Sequence, residues 1–99
     1  MYIKQSGVIP YRLREGITEV LLITSINSKR WIIPKGLVEP GMTPQDSAAK
    51  EAWEEAGVIG EVLPTLMGTY DYRKWGGICN HIIDITQIAN LVGAGLGTI

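Results

Sequence analysis

The stretch from residue 34 to residue 58 constrains this chain most, because it joins a loop rich in glycine and proline to a tight group of acidic residues. Glu51, Glu54 and Glu55 are three and four residues apart, so a helix would place them on one face about 100° wide. Carboxylates crowded on one face repel each other, and a divalent cation would remove this penalty. From spacing alone, a solvated acidic face is the alternative interpretation.

Local signals predict the helix that carries these glutamates. Thr43 is a candidate N-cap, Pro44 suits the first helical position and Gly57 suits a left-handed C-cap, so the helix should end near residue 56. The small residues of this helix form a second face, which would let it lie close against a sheet. They are Ala48, Ala49, Ala52 and Ala56.

Runs of β-branched residues predict strands on both sides of the helix. We place a strand, a turn at Gly16 and a second strand within 3–24, the second strand being 18–24. A short strand follows at 30–33, and further strands are expected at 58–63, 66–72 and 78–88. The run 18–24 is mostly apolar, which indicates a central strand covered on both faces. The end of the chain after Ile88 has no clear period.

Composition limits the classes of function. Ninety-nine residues make one domain, and 45% apolar and 19% charged residues are typical of a folded globular protein. A net charge of −1 argues against non-specific binding to nucleic acid or to an anionic membrane. Because Cys79 is the only cysteine and no apolar run reaches the ~18 residues of a membrane span, we expect a cytoplasmic protein.

The central stretch resembles the Nudix box, G-x5-E-x7-R-E-U-x-E-E-x-G-U, where U is a bulky aliphatic residue. The preceding W-x-x-P-K-G at 31–36 is common in this family and resembles its branch acting on diphosphoinositol polyphosphates and dinucleoside polyphosphates. Six positions of the box are in register: Gly36, Glu51, Glu54, Glu55, Gly57 and Val58.

Three positions depart from the family pattern. Met42 replaces the first glutamate, Lys50 replaces the arginine and Ala52 replaces the first aliphatic residue. In the family, the arginine orients the neighbouring glutamate and the first glutamate braces the loop. Lys50 would retain positive charge beside Glu51 without the planar fork of arginine, and Glu39 is a candidate to brace the loop instead.

The resemblance implies an α+β fold, a Nudix-type α/β/α sandwich around a mixed sheet. Domains of the family usually continue with another strand and a second helix, which the end of this chain does not resemble. We therefore expect a single Nudix-like domain over residues 1–99 that lacks the C-terminal helix, in a natural minimal form or by truncation. An uncovered sheet face would favour a homodimer or other self-association.

The resemblance also implies Mg²⁺-dependent hydrolysis of a diphosphate linkage, with Mn²⁺ as a substitute cation. The substrate would be a nucleoside diphosphate derivative, a dinucleoside polyphosphate or a diphosphoinositol polyphosphate. Glu51, Glu54 and Glu55 would hold the metal together with the carbonyl of Gly36. Many members take the general base from a later loop, but this chain has no glutamate after Glu61, so Glu54 or Glu51 would take that role.

Basic residues near the box are candidate donors to substrate phosphates. Lys35, Arg30 and Arg73 could form charge-assisted hydrogen bonds there, with ordinary surface charge as the alternative. Trp75, beside a Gly-Gly turn, is a candidate for stacking on a base, whereas packing better explains Trp53.

His81, the only histidine, is expected to make a structural polar contact rather than to act in catalysis. A second hypothesis competes with the enzyme. The chain would then be a catalytically silent Nudix-like module that binds a nucleotide or a protein, or an inactive truncated product. Met42 and the missing late glutamate favour this second hypothesis.

Overall fold

The computed structural model describes residues 2–25, 29–74 and 79–93. Within these residues no helix is long and apolar enough to cross a bilayer. The described elements, in chain order, are β1 (Tyr2–Arg14), β2 (Ile17–Val20), β3 (Ile23–Thr24), β4 (Trp31–Ile32), β5 (Lys35–Leu37), α1 (Pro44–Ala56), β6 (Val58–Val62), β7 (Gly68–Lys74) and β8 (Cys79–Gly93).

Two long strands, β1 and β8, run parallel to each other at the centre of a six-stranded mixed sheet. Strands β5 and β2 pair antiparallel with successive parts of β1, and β7 and β6 pair antiparallel with successive parts of β8. Strands β3 and β4 form a separate two-stranded ribbon. The predicted α+β class with a mixed sheet is confirmed, and α1 is the one helix of the described residues.

The helix α1 packs through its alanine face on one face of this sheet. Ala48 and Ala52 are fully buried and share a core cluster with Val8 of β1 and Ile88 of β8. Burial of a valine or isoleucine side chain contributes about 1.5–3 kcal/mol, so this layer is a main source of stability. The small alanines let the helix approach the sheet closely, as the sequence indicated.

Both ends of α1 are capped as predicted. The hydroxyl of Thr43 accepts a hydrogen bond of 3.0 Å from the backbone amide of Asp46, and Gly57 closes the helix in the left-handed conformation with φ 66°. The hydroxyl of Ser6 donates to the carbonyl of Pro44 and attaches the first turn to β1. The start and the orientation of the helix are therefore fixed by local bonds.

The prediction of a central strand at 18–24 is wrong. Strand β2 ends at Val20 and lies at the edge of the sheet, where Ile17 and Val20 are 67% and 50% exposed. The chain then leaves the sheet and enters the ribbon at β3. A mostly apolar run predicts a buried strand, but in this sheet the longer strands β1 and β8 occupy the central positions.

The last strand extends further than predicted. Strand β8 continues to Gly93, and its register with β6 shifts near Asn90, which adopts a positive φ of 53°. This irregularity breaks the alternation of apolar and polar residues, which explains why the sequence showed no period there. Residues 94–99 and the predicted Gly-Gly turn beside Trp75 lie outside the described residues.

Candidate functional site

Glu51 and Glu55, one turn apart on α1, bring their carboxyl groups into hydrogen-bonding contact beside strand β5. Oε2 of Glu55 accepts a hydrogen bond of 3.1 Å from the backbone amide of Lys35. A Cβ atom on Gly36 would lie 2.3 Å from Cδ of Glu51. Glycine at position 36 is therefore what allows this carboxylate to lie against the strand. We call Glu51 and Glu55 the acidic pair.

The acidic pair is electrostatically unfavourable when both groups are ionised. Burial, followed by the hydrogen bond and the repulsion from Glu51, raises the pKa of Glu55 from 4.5 to about 7. The amide of Lys35 acts in the opposite direction but does not cancel these effects. Glu55 thus retains a proton at mildly acidic pH unless a positive charge takes its place.

Glu54, the third predicted ligand, lies in a different environment. Its Oε1 is 3.6 Å from Nζ of Lys50, and the same ammonium group contacts the carboxylate of Glu39. The contact with Glu39 raises the pKa of Lys50. Lys50 therefore joins the loop to the helix, and Glu39 has the partner that a loop-bracing role requires. Met42 packs its sulfur 4.0 Å from the hydroxyl of Ser47.

The donor chemistry of this region suits a hard divalent cation. In the part of the chain that the structure describes, no three acidic, histidine or cysteine side chains converge closely enough to form a ready-made metal site. Glu51 and Glu55 nevertheless present adjacent carboxylate oxygens, and Glu54 adds further negative charge beside Glu55. Oxygen ligands with excess negative charge are those that Mg²⁺ takes in proteins.

A chain of polar contacts links Lys35 to the face of the sheet opposite α1. Nζ of Lys35 lies 3.0 Å from the hydroxyl of Tyr72, which lies 3.4 Å from Oε1 of Gln5. Nδ1 of His81 is 3.0 Å from the same oxygen, and the rings of Tyr72 and His81 stack at 4.8 Å. We call these four residues the Lys35 network. His81 thus makes the polar contact expected of it.

The other predicted phosphate donors lie apart from this network. Arg30 closes the ribbon, where its amide is 3.3 Å from the hydroxyl of Ser25. Arg73 is exposed on β7 and, being next to Tyr72, projects from the opposite face of the sheet. Of the three, Lys35 contacts the acidic pair, and it does so through its backbone amide, whereas its ammonium group contacts Tyr72.

Two predictions concerned tryptophans. Packing does not explain Trp53, because this side chain on α1 is 59% exposed. Trp75 lies outside the described residues, so its predicted stacking role stays a prediction.

A cleft of about 740 Å³ opens beside the acidic pair. Glu55 forms part of its wall, and the remaining lining comes from the β3–β4 ribbon and the residues next to it. These are Leu22, Ile23, Thr24, Ser25, Trp31 and Ile32. The sequence did not reveal this cleft, and it did not mark Gln5 or Tyr72 as residues near the site. For Tyr72 a signal existed in the alternation of tyrosines at 70 and 72, which places both rings on one face of β7.

Comparison with known proteins agrees with this architecture. The family model of the NUDIX domain matches residues 3–90. Nudix hydrolase 13, mitochondrial, of Arabidopsis thaliana is 36% identical over 81 residues, which cover 70% of this chain and 40% of that protein. Diphosphoinositol polyphosphate phosphohydrolase 3-alpha of Mus musculus is 44% identical over 57 residues, which cover 57% of this chain and 34% of that protein. The chain thus spans well under half the length of these relatives.

Solved structures share the fold. An Ap4A hydrolase of C. elegans superposes with a TM-score of 0.69 at 26% identity, covering 91% of this chain and 70% of that one. The NUDIX domain of Shewanella oneidensis NrtR, solved with ADP ribose, gives a TM-score of 0.72 at 11% identity over 91% and 61% of the two chains. At 11% identity, the similarity to the NrtR domain concerns the fold alone.

Proposed function

Because the chain belongs to the Nudix family, we propose that it hydrolyses a diphosphate linkage in a small molecule, using Mg²⁺ or Mn²⁺ held at the acidic pair. The observation that carries this proposal is the contact between the carboxyl groups of Glu51 and Glu55 under Gly36. Burial and the neighbouring Glu51 raise the pKa of Glu55 to about 7, and perturbed carboxylates of this kind are common at functional sites.

The cation, when bound, would neutralise the negative charge that builds on the phosphate oxygens as water attacks phosphorus. Glu51 and Glu55 would hold it, with Glu54 as a third ligand or as the general base. The amide of Lys35 orients Glu55, and Gly36 keeps the site open for Glu51. In the role of base, Glu54 would accept a proton from the attacking water while the bridging oxygen leaves with one phosphate.

Lys35 has a second role in this proposal. Its ammonium group contacts the hydroxyl of Tyr72, and its backbone amide, on β5, binds Glu55. This ammonium group points toward the face of the sheet opposite α1, so it would donate hydrogen bonds to a more distant phosphate of a substrate held at the acidic pair, past the edge strand β5. Arg30 and Arg73 would assist only with longer substrates.

The test is release of phosphate or of a nucleoside monophosphate from a panel of diphosphates, with Mg²⁺ or Mn²⁺. The panel contains ADP-ribose, dinucleoside polyphosphates and diphosphoinositol polyphosphates, because these groups occur in the names of the similar proteins. Glu55→Gln should abolish turnover. Glu61→Gln is the matched control, since Glu61 lies on β6 and bonds Asn90. A wild-type chain that cleaves none of these compounds contradicts the proposal.

One observation favours a second candidate, a catalytically silent nucleotide-binding or protein-binding module. Glu54, the favoured base, forms an ion pair with Lys50 at 3.6 Å, so its carboxylate already has a partner on its own helix. A diphosphate that raises the melting temperature without being cleaved would support this candidate over the enzyme.

A further inference from the structure

Four adjacent strands each contribute one residue to the Lys35 network. In this part of the sheet β5 pairs with β1, β1 with β8 and β8 with β7. These strands carry, in the same order, Lys35, Gln5, His81 and Tyr72. The side-chain oxygen of Gln5 contacts both His81 and Tyr72, so Gln5 joins the histidine to the branch that ends at Lys35.

Donor and acceptor chemistry gives the hydrogen bonds of this network a direction. An ammonium group only donates, so the hydroxyl of Tyr72 accepts from Lys35 at 3.0 Å and directs its own proton to Oε1 of Gln5 at 3.4 Å. An amide oxygen only accepts, so Nδ1 of His81, 3.0 Å from the same oxygen, carries the proton of the imidazole ring. Gln5 is therefore the acceptor at which both bonds end.

Packing transmits the position of this acceptor to Lys35. His81 is 6% exposed, so an acceptor within the protein must satisfy its buried N–H group. Its ring stacks on that of Tyr72 at 4.8 Å, and Nζ of Lys35 lies 4.6 Å from the centroid of the Tyr72 ring. A lysine side chain is long and flexible, so the hydroxyl and the ring of Tyr72 together define where its ammonium group lies.

We propose that Gln5 is a positioning residue for Lys35. By accepting from His81 and Tyr72 at once, it fixes the phenol and so holds the ammonium group of Lys35 in the orientation that meets a phosphate. The inference rests on the proposed function, in which this ammonium group binds a more distant phosphate of a substrate held at the acidic pair. It extends that function to a residue of β1 that acts through Tyr72 rather than by touching the substrate.

NMR tests the direction of the hydrogen bonds. His81 is the only histidine, so the resonances of its two ring nitrogens are unambiguous. At mildly alkaline pH, long-range ¹H–¹⁵N correlations should show the proton on Nδ1 in the wild type. Gln5→Met removes the acceptor but keeps the length of the side chain, so it should raise the fraction of His81 protonated on Nε2. A wild-type ring protonated on Nε2, or a ring that Gln5→Met leaves unchanged, would overturn the inference.

Titration calorimetry with Mg²⁺ present tests the effect on phosphate binding. The probes are methylenediphosphonate and its longer homologue with three phosphonate groups, whose P–C–P bridges resist hydrolysis. Loss of the ordering hydrogen bonds should make Gln5→Met bind the longer probe roughly threefold to tenfold more weakly and leave the affinity for the shorter probe unchanged. Gln87→Met is the matched control, because Gln87 lies on the same face of the sheet but opposite Ile9, four residues along β1 from Gln5.

A double variant separates positioning from a general loss of structure. Because Gln5 acts through Tyr72, adding Gln5→Met to Tyr72→Phe should weaken binding of the longer probe no further than Tyr72→Phe alone. Additive losses would overturn the positioning role. If melting curves show that Gln5→Met does not fold, Gln5→Asn, which withdraws the oxygen by one methylene group, takes its place in every comparison.

Each outcome decides the inference. Equal affinity of the wild type and Gln5→Met for the longer probe would overturn it even if hydrolysis is observed. Absence of any binding of the longer probe by the wild type would overturn it as well. Binding that depends on Gln5 in a chain that cleaves no diphosphate would support the inference while the proposed hydrolysis fails.

Discussion

The backbone amide of Lys35 donates a hydrogen bond of 3.1 Å to Oε2 of Glu55. This bond attaches the last turn of α1 to the edge strand β5, and the next residue along that strand is Gly36, under which Glu51 lies. Lys35 and Gly36 of β5 therefore supply three features of the site. These are the amide that binds Glu55, the absence of a Cβ atom beside Glu51 and an ammonium group that contacts Tyr72.

Gly36→Ala should damage the site much more than the fold. The added Cβ would meet the carboxylate of Glu51, which is the far end of a flexible side chain and can swing away. We expect a small loss of stability but a roughly 10–100-fold loss of Mn²⁺ affinity, because an orienting contact of a ligand is lost. Calorimetric titration with Mn²⁺ and urea unfolding measure the two effects. Gly68→Ala is the control, since a Cβ there meets nothing within 4 Å; an unchanged Mn²⁺ affinity in Gly36→Ala would count against the site.

Without divalent cations, stability should fall as pH rises between about 4.5 and about 7 through the contribution of Glu55. Its pKa is raised in the folded state, so the folded chain binds more protons than the unfolded chain in this window. The penalty is absent below the unfolded pKa and complete above the folded one. Glu55→Gln should remove this component, visible as a wild-type melting temperature that falls relative to the variant over this range. A difference between the two that stays constant with pH would contradict the assignment.

These two predictions depend on the helix that carries the glutamates and on the surroundings of Glu55, and only the helix could be predicted from the sequence. The helix was predictable because Thr43, Pro44 and Gly57 act on their immediate neighbours, and the register of the glutamates follows from the helical period. The raised pKa of Glu55 could not be predicted from the sequence, because it depends on how closely Glu51 approaches and on the burial of Glu55 in the fold.

Contacts across the sheet could not be predicted from the sequence for a related reason. Gln5 and His81 are 76 residues apart and meet only because β1 and β8 pair in parallel with Ile3 opposite His81. The misplaced strand at 18–24 has the same origin, since burial of an apolar run is decided by which strands occupy the centre of the sheet. Local signals thus defined the helix and the acidic residues, while the surroundings of these residues required the fold.

Glu54→Gln separates the base from the metal ligands. If Glu54 is the general base, the variant should lose about 10²–10⁴-fold in kcat while its Mn²⁺ affinity changes little. Glu55→Gln should instead weaken Mn²⁺ binding directly. The two variants are compared by steady-state kinetics and by calorimetric titration on the same substrate. A Glu54→Gln protein with wild-type kcat would exclude this residue as the base and leave Glu51 as the candidate.

Tyr72→Phe tests whether the Lys35 network positions a phosphate-binding cation. The substitution keeps the ring that stacks on His81 but removes the hydroxyl that contacts Lys35 and Gln5. We expect KM to rise roughly tenfold, because a charge-assisted hydrogen bond that places Lys35 is lost, with kcat nearly unchanged. Tyr70→Phe is the matched control on the same face of β7. An equal change in both variants, or a change in kcat alone, would contradict a positioning role.

Self-association should occur through the edge of the sheet formed by β2. This short strand lies at the end of the sheet and exposes Ile17 and Val20, so it offers both unpaired backbone groups and apolar side chains to a second copy. A charge at an edge opposes such pairing, and Val20→Lys should therefore shift the protein toward monomer in sedimentation velocity. Val92→Lys places the same charge on a similarly exposed valine of β8 and should leave the oligomeric state unchanged. A wild-type chain that sediments as a monomer at micromolar concentration would refute the prediction, and equal dissociation by both lysines would place the interface elsewhere.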